Sequence, residues 1–546
     1  MEKNYDIHIL QKQEMFTIEA SGKESVHVAM QRHGISYPSD CGGRGTCGKC
    51  KVKILEGHVA ISSVDNKRLT PKELEDGIRL ACTAYPTEDI TISMLSSGED
   101  EMQVLTQSSK SFTLASLHPT DMEGSYIGID LGTTTLAFML IDARTGTTLA
   151  TYSGVNPQRA FGSDIVSRMK ASIDGKSNKL KDIIRQSLKT GILQLLRLAG
   201  EKAEPIRRIT IAGNTTMIHL LMGYPCDNLG VYPFSPMNIE VEELSFHELF
   251  QYDYIDECSG TASDFLVAVG MEKLQEVPVS ILPGISTFVG GDIVAGLGVC
   301  NFDRTDRINL LIDLGTNGEI AIGYREKLLV GSTAAGPAFE GGNISCGMAS
   351  IPGAINRVTI VGQMLHIGTI KNETPRGICG TGVVELCAEL LQSGAMDATG
   401  LLADDYFTHG YPIYKDETTR ILFTQKDVRE LQLAKAAIRA GIEMLLTRYG
   451  ISYSGLDKVY LAGGFGFDLD LNKAVVIGLL PEELRHKVIT IGNSSLAGAL
   501  SYGRDPQFVK RLRNIIQSAK EVHLSMESDF QDYYLKHIDF PDQGYH

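Results

Sequence analysis

The chain has 546 residues, 43% of them hydrophobic, so it exceeds a single core and roughly two to four domains are expected. Its formal charge of -15, from 51 Lys and Arg against 66 Asp and Glu, excludes nucleic-acid binding through a basic surface. The uncharged stretch Val277 to Gly291 is broken by Pro278 and Pro283 and is too short to cross a bilayer, so a cytoplasmic protein without membrane contact is expected.

Taken in chain order, residues 5–11 and 14–20 alternate as a hairpin, 23–33 read as a short helix, and 51–56 and 89–94 as further strands. Among them stand Cys41, Cys47, Cys50 and Cys82 in a C-x5-C-x2-C-x31-C array. A 2Fe-2S cluster needs four thiolates, of which a tight loop can supply three, and Cys82 supplies the fourth. Gly42, Gly43, Gly45 and Gly48 let that loop turn and bring its N–H groups close to cluster sulfurs, which tunes the reduction potential.

Zinc would more naturally use two C-x2-C knuckles, and only Cys47 and Cys50 form one. A disulfide framework needs an oxidising compartment, whereas no signal peptide is legible and the remaining cysteines are scattered. The pattern resembles the β-grasp ferredoxins, with a first gap nearer the adrenodoxin-like than the plant-type spacing. Residues 1–95 carry 12 Lys and Arg against 13 Asp and Glu. A domain this close to neutral is expected to dock within the molecule or on an apolar partner patch rather than steer by charge.

Residues 96–122 are polar and Ser/Thr-rich, with an acidic cluster at Glu99, Asp100 and Glu101, and read as a linker. A mobile tether and an ordered strap are both open. From 123 to 546 the chain repeats itself, with a first half to about 262 and a second from about 263. Tyr126 to Thr135, containing Asp130-Leu-Gly-Thr133, parallels Leu310 to Glu319, containing Asp313-Leu-Gly-Thr316. Ile209 to Asn214 and Val459 to Gly464 are both strands ending in an Ala-Gly turn before a helix. The stretch from Asp313 to Gly463 is far longer than that from Asp130 to Gly213, which places an insertion within 332–420. Apolar residues at three- and four-residue spacing predict helices at 178–199, 381–393 and 426–449.

An Asp at a strand end followed by Gly-Thr suits phosphate, because the turn aims backbone N–H groups at anionic oxygens and the Thr hydroxyl adds a donor. Asp130 and Asp313 would hold Mg2+ through water. The alternative is that both merely cap turns. The duplicated plan resembles the acetate kinase, sugar kinase, heat-shock chaperone and actin superfamily. That resemblance implies a multidomain fold, an α+β ferredoxin followed by a duplicated ribonuclease H-like α/β ATPase. It implies that Gly132, Thr133 and Thr134 form one phosphate loop, Gly315, Thr316 and Asn317 the other, and Gly463, Gly464 and Gly466 the adenosine loop. Glu319 is either a carboxylate orienting metal water or the attacking water, or an exposed hairpin residue. Asp292 is either a helix N-cap or a catalytic base.

A cluster domain joined to an ATPase-like domain, in this order, resembles the reductive activators of corrinoid-dependent methyltransferases of anaerobes. The resemblance includes Gly331 to Gly347 and Leu461 to Gly466. It implies one-electron reduction of an inactive Co(II) corrinoid protein to Co(I), driven by ATP, with a low-potential ferredoxin or flavoprotein as donor and a homodimer as assembly. Plant-type centres lie near about -400 mV and each ~59 mV uphill shifts a one-electron equilibrium tenfold, so a gap of roughly 150 mV would leave only a few corrinoids per thousand reduced. Cys41, Cys47, Cys50 and Cys82 would carry the electron, and Asp130, Asp313 and the two loops would manage ATP and Mg2+. Ser332 to Asn343 reads as a partner-facing or interdomain loop. Met94 and Ile127 lie too close together for the further small domain that some relatives carry there. Two rival readings are a metabolite kinase with a redox-sensing cluster and an electron carrier whose nucleotide-binding domain is a non-catalytic scaffold.

Overall fold

The computed structural model describes residues 3–11, 14–33, 35, 43–45, 48, 50–95, 123–203, 205–250, 273–362, 364–416, 419–464 and 468–542. Cys41, Cys47, Gly466 and the expected linker 96–122 lie outside the described residues.

At the N-terminus β1 (Asn4–Gln11) and β2 (Glu14–Ser21) pair antiparallel. β3 (Lys51–Glu56), β4 (Ile78–Leu80) and β5 (Ile90–Met94) complete a sheet of order β2-β1-β5-β3-β4. Alternation puts Ile7, Ile9, Ile18 and Ala20 on one face, where helix Val26–Arg32 covers them with Val26, Ala29 and Met30. The helix begins later than the expected residue 23 because Ser25 caps it, accepting the Val28 N–H at 3.3 Å.

Two six-stranded sheets follow. The first contains β6 (Ser125–Leu131), β7 (Thr135–Asp142), β8 (Thr148–Val155), β9 (Ile206–Gly213), β10 (Glu242–Ser245) and β11 (Pro278–Ile281), in the order β10-β11-β9-β6-β7-β8. β11 pairs parallel with β9, so the first sheet extends past the boundary expected near residue 262, and the uncharged run at 277–291 opens with a strand of that sheet.

The second sheet starts with β12 (Asn309–Leu314), β13 (Gly318–Tyr324) and β14 (Lys327–Thr333). The insertion follows as β15 (Ala354–Val361), β16 (Met364–Thr369), β17 (Gly377–Ile378), helix Gly380–Gln392 and the hairpin of β18 (Tyr411–Lys415) and β19 (Arg420–Phe423). β20 (Val459–Ala462), β21 (Val488–Gly492) and β22 (Ala519–Glu521) complete the order β21-β20-β12-β13-β14-β22. With the edge strands β10 and β22 set aside, β8-β7-β6-β9-β11 of the first sheet and β14-β13-β12-β20-β21 of the second both run third, second, first, fourth, fifth in chain order. The helices expected at 178–199 and 426–449 are Ser177–Ala199 and Gln425–Tyr449. Thr424 and Asp427 close a capping box on the latter, which buries Val428, Leu431, Ile438, Ile442 and Leu445 completely.

Each half lends a helix to the other. Helix Gly291–Val299, which follows β11, packs Ile293, Val294 and Leu297 with Leu311, Ala321 and Val330 of the second sheet. Helix Ser494–Arg504, which follows β21, packs Leu496 and Leu500 on Tyr126, Ala137, Met139 and Ile141 of the first. The two helices cross through small residues. A Cβ on Gly498 would stand 2.5 Å from that of Ala295, so only glycine admits this approach.

Candidate nucleotide cleft and cluster site

Register places Asp130 of β6 beside Ala212 of β9, and Asp313 of β12 beside Ala462 of β20. Each strand-end carboxylate therefore adjoins the Ala-Gly turn of its own half. The two sets meet around one cavity of about 170 Å3, lined by Asp130, Gly132, Thr133, Thr134, Asp292, Asp313, Gly315, Thr316, Asn317, Glu319, Glu340, Gly463 and Gly464, among others. The Gly132 N–H donates to Thr135 O and the Gly315 N–H to Asn317 O, both at 3.1 Å. A Cβ at Gly132 would lie 2.5 Å from Thr135 O, so this turn requires glycine. Gly463 (φ 93°) lies against Asp313, whose Oδ1 would be 2.9 Å from an added Cβ.

The carboxylates are held and crowded. Asp130 accepts from Asn493 Nδ2 at 2.8 Å and from Ser495 Oγ at 2.7 Å, and burial raises its pKa. Burial, then the charges of Asp292, Asp130 and Glu340, push Asp313 up to about 8. Burial, opposed by the Ile293 N–H and assisted by Asp130, puts Asp292 at about 7. Glu319 is the cross-strand partner of Asp313 and is 9% exposed, which rules out the exposed-hairpin alternative. Burial, followed by Asp292 and Asp313, raises its pKa. Asp292 is not an N-cap, since Gly290 occupies that position and Asp292 lies in the first helical turn, facing the cavity.

Five carboxyl groups at one cavity, those of Asp130, Asp292, Asp313, Glu319 and Glu340, crowd one another and would repel a polyphosphate, an arrangement that a divalent cation relieves. Among the described residues no three His, Cys, Asp or Glu converge to ligate a metal ion directly.

Sequence reasoning missed Asn214, Asn493, Ser495 and Glu340. Asn214 Nδ2 donates to Thr133 Oγ1 at 3.0 Å while its Oδ1 caps helix Thr215–Met222. Asn493 does the same for helix Ser494–Arg504 while it holds Asp130. The signal was present as Gly213-Asn-Thr-Thr216 and Gly492-Asn-Ser-Ser495, each a strand end turning into a helix. Glu340 had no such repeat. It ends the 3-10 turn Pro337–Glu340 within the Ser332–Asn343 segment, where Ala338 and Phe339 are buried, and that turn faces the cleft.

In the N-terminal domain, Lys51 of β3 pairs with Leu80 of β4, and the Ala81 N–H donates to Cys50 O at 2.7 Å. Cys50 and Cys82 therefore leave neighbouring strands at the same end, and both are buried. Gly43, Gly45 and Gly48 take left-handed φ values of 86°, 74° and 71°, as the tight loop requires. The buried thiols of Cys50 and Cys82 fit a thiolate-held cluster.

Three family models match the chain. The 2Fe-2S iron-sulfur cluster binding domain covers residues 9–87, the RACo middle region 126–251, and the C-terminal domain of RACo, the ASKHA domain, 307–546. The first match sets the zinc alternative aside. The corrinoid activation enzyme RamQ of Eubacterium limosum is 31% identical over 442 residues, 76% of this chain and 70% of that protein. The [Co(II) methylated amine-specific corrinoid protein] reductase of Methanosarcina barkeri is 26% identical over 458 residues, 77% of each. A solved structure, the reductive activator for corrinoid,iron-sulfur protein, is similar over 98% of both chains with a TM-score of 0.68 and 25% identity. Among the described residues no helix is long and apolar enough to cross a membrane.

Proposed function

The chain belongs to the RACo family of corrinoid activators, and from that premise we propose that it passes single electrons to a corrinoid protein, returning Co(II) to Co(I), with ATP hydrolysis driving the cycle. The observation that carries this reading is the closure of both Asp-Leu-Gly-Thr turns on one cavity in a chain that also brings Cys50 and Cys82 together. Cys41, Cys47, Cys50 and Cys82 would hold the 2Fe-2S cluster, which supplies one-electron chemistry. The Gly132–Thr134 and Gly315–Asn317 turns offer backbone N–H and hydroxyl donors to polyphosphate, and Gly463, Gly464 and Gly466 would border the adenosine. Asp130 and Asp313 would keep Mg2+ in place through its waters, with Glu319 and Asp292 accepting hydrogen bonds from those waters or from the attacking one. Asn493 and Ser495 fix Asp130 before ligand arrives, which spares reorganisation during hydrolysis.

A low-potential ferredoxin or flavoprotein would recharge the domain 1–95, a linker 96–122 would join it to the ATPase region 123–546, and the chain would act in the cytoplasm as a homodimer. Anaerobic spectrophotometry tests the reading, with a Co(II) corrinoid protein, this protein, a low-potential reductant and Mg-ATP. The Co(I) band is expected only when ATP and the intact cluster domain are both present. Equal reduction without ATP would overturn the coupling.

A further inference from the structure

Glu340 joins the two phosphate loops through one oxygen. Its Oε2 accepts from Thr316 Oγ1 at 2.6 Å and from Thr134 Oγ1 at 2.9 Å, and the two hydroxyls are 3.4 Å apart. A hydroxyl has one hydrogen to donate, so a phosphate oxygen that takes these donors must displace the carboxylate, and their like charges oppose sharing the place. Gly336 and Gly341 flank the turn that carries Glu340, with φ of 77° each.

The charge of Glu340 is also felt by a buried cation. Arg168, on helix Ile165–Ala171, is fully buried. Its Nε donates to Gly162 O at 2.9 Å and its Nη1 meets the weak acceptor Met217 Sδ at 3.2 Å, while Nη2 finds no acceptor among the described residues. A buried cation short of acceptors is costly. Arg159 opposes its charge, while Asp164 and Glu340 are the carboxylates that favour it.

The segment around Arg168 also carries the contacts to the cluster domain. Gln31 Nε2 donates to Ala160 O at 2.5 Å, and Arg44 of the cysteine loop donates through Nη2 to Ser167 Oγ at 3.3 Å. Gln31 Nε2 is also 3.0 Å from His27 Nε2, and the His27 ring lies so close to Gly43 that a Cβ there would be 2.9 Å from its Cδ2.

We propose that Glu340 is a positioning residue that senses polyphosphate and, by moving from Thr134 and Thr316 to Arg168, shifts residues 160–168 and unseats the cluster domain from them. The inference rests on the reading that the cleft takes ATP. It gives nucleotide binding a route to the domain that carries the electron, because the ligand favours one of two carboxylate positions.

Hydrogen–deuterium exchange of the full chain, with and without Mg2+ and the analogue AMP-PNP, tests it alongside calorimetric affinity for the same analogue. In the wild type, exchange at 26–32 and 157–171 is expected to rise about fivefold or more on binding. Glu340→Gln is expected to bind the analogue about tenfold more tightly, having lost the competing charge, and to lose that rise. Arg168→Lys is expected to keep part of the rise and Arg168→Met to lose it. Should Arg168→Met fail to fold, the Glu340→Gln comparison decides. A Glu340→Gln protein that responds like wild type, or binds no more tightly, overturns the inference alone. A wild-type chain that binds no nucleotide overturns the functional reading and the inference together.

Discussion

Asn493 donates to Asp130 Oδ2 at 2.8 Å, a bond between a helix cap of the second half and a strand end of the first. One side chain thereby couples the start of a helix to the aim of a cleft carboxylate, since its Oδ1 also accepts the Leu496 N–H at 2.8 Å.

Asn493→Ala removes both bonds. Loss of the cap costs about 1 kcal/mol, and loss of a donor to a charged group about 1.5–3 kcal/mol when that group stays charged. The expected outcome is a stability loss of about 1–3 kcal/mol in denaturant unfolding, together with a fall of about tenfold or more in ATP turnover from a mis-aimed Asp130. Asn493→Asp should keep the cap but place a further negative charge beside Asp130, so its stability recovers more than its turnover. Full turnover in both variants would argue that Asp130 is aimed by Ser495 alone.

The raised carboxyls give the protein a direction of pH dependence. Asp313 sits at about 8 and Asp292 at about 7, through burial first and neighbouring charge after it. A carboxyl near 4 in the unfolded chain and higher in the folded one binds more protons when folded, so stability falls as pH rises from about 4 toward about 8. Without divalent cation the thermal midpoint is expected to be lower at pH 8.5 than at pH 6, and millimolar Mg2+ with ADP should recover part of the loss. Asp313→Asn should flatten the slope. A midpoint that rises across this window in wild type, with the same slope in the variant, would contradict the cleft electrostatics.

Much of this architecture was legible because it rests on repeated local rules. The Asp130 and Asp313 turns could be paired from sequence, and register shows why. Each carboxylate needs a strand end and a neighbouring Ala-Gly turn, and both recur at equivalent order. The helix Gln425–Tyr449 announced itself through residues that all reach full burial. Glu340 gave no sign, because its role depends on a 3-10 turn meeting Thr134, 206 positions away in the chain. The end of the first half was misplaced for a similar reason, since β11 is only four residues long and its strand character comes from pairing with β9. The N-cap alternative for Asp292 stood beside that of a catalytic base because Gly290, the residue that holds the cap position, offers no side chain to signal it.

The helix crossing between the sheets makes a sharper steric prediction. Gly498→Ala would set a methyl 2.5 Å from Ala295 Cβ, and Gly498→Val would add two more carbons at the same crossing. Overpacking of this kind costs typically about 1–3 kcal/mol. Denaturant midpoints should fall in the order wild type, Ala, Val. Since each helix also packs on the sheet of the other half, the Val variant should lose nucleotide affinity as well. Equal stability of all three would mean the helices cross elsewhere.

Cys82→Ser and Asp313→Asn should separate the two chemistries in the chain. Cys82 lies beside Cys50 at the end of β4, and a serine hydroxyl there is a harder, more basic ligand than thiolate. The variant is expected to retain less iron and sulfide after anaerobic reconstitution and to lose the visible absorption of a 2Fe-2S centre, while still binding AMP-PNP. Asp313→Asn should show the opposite pattern, a full complement of iron with weakened Mg-nucleotide binding, because the carboxylate beside Gly463 is lost while the β3–β4 end of the cluster domain is untouched. Mixing the two variants then asks whether the halves cooperate within one molecule. If corrinoid reduction needs the cluster and the cleft on the same chain, the mixture stays below about a tenth of wild-type rate. Recovery to near half the wild-type rate would instead place the electron-donating domain of one chain against the nucleotide cleft of another, and would make the proposed homodimer the working unit.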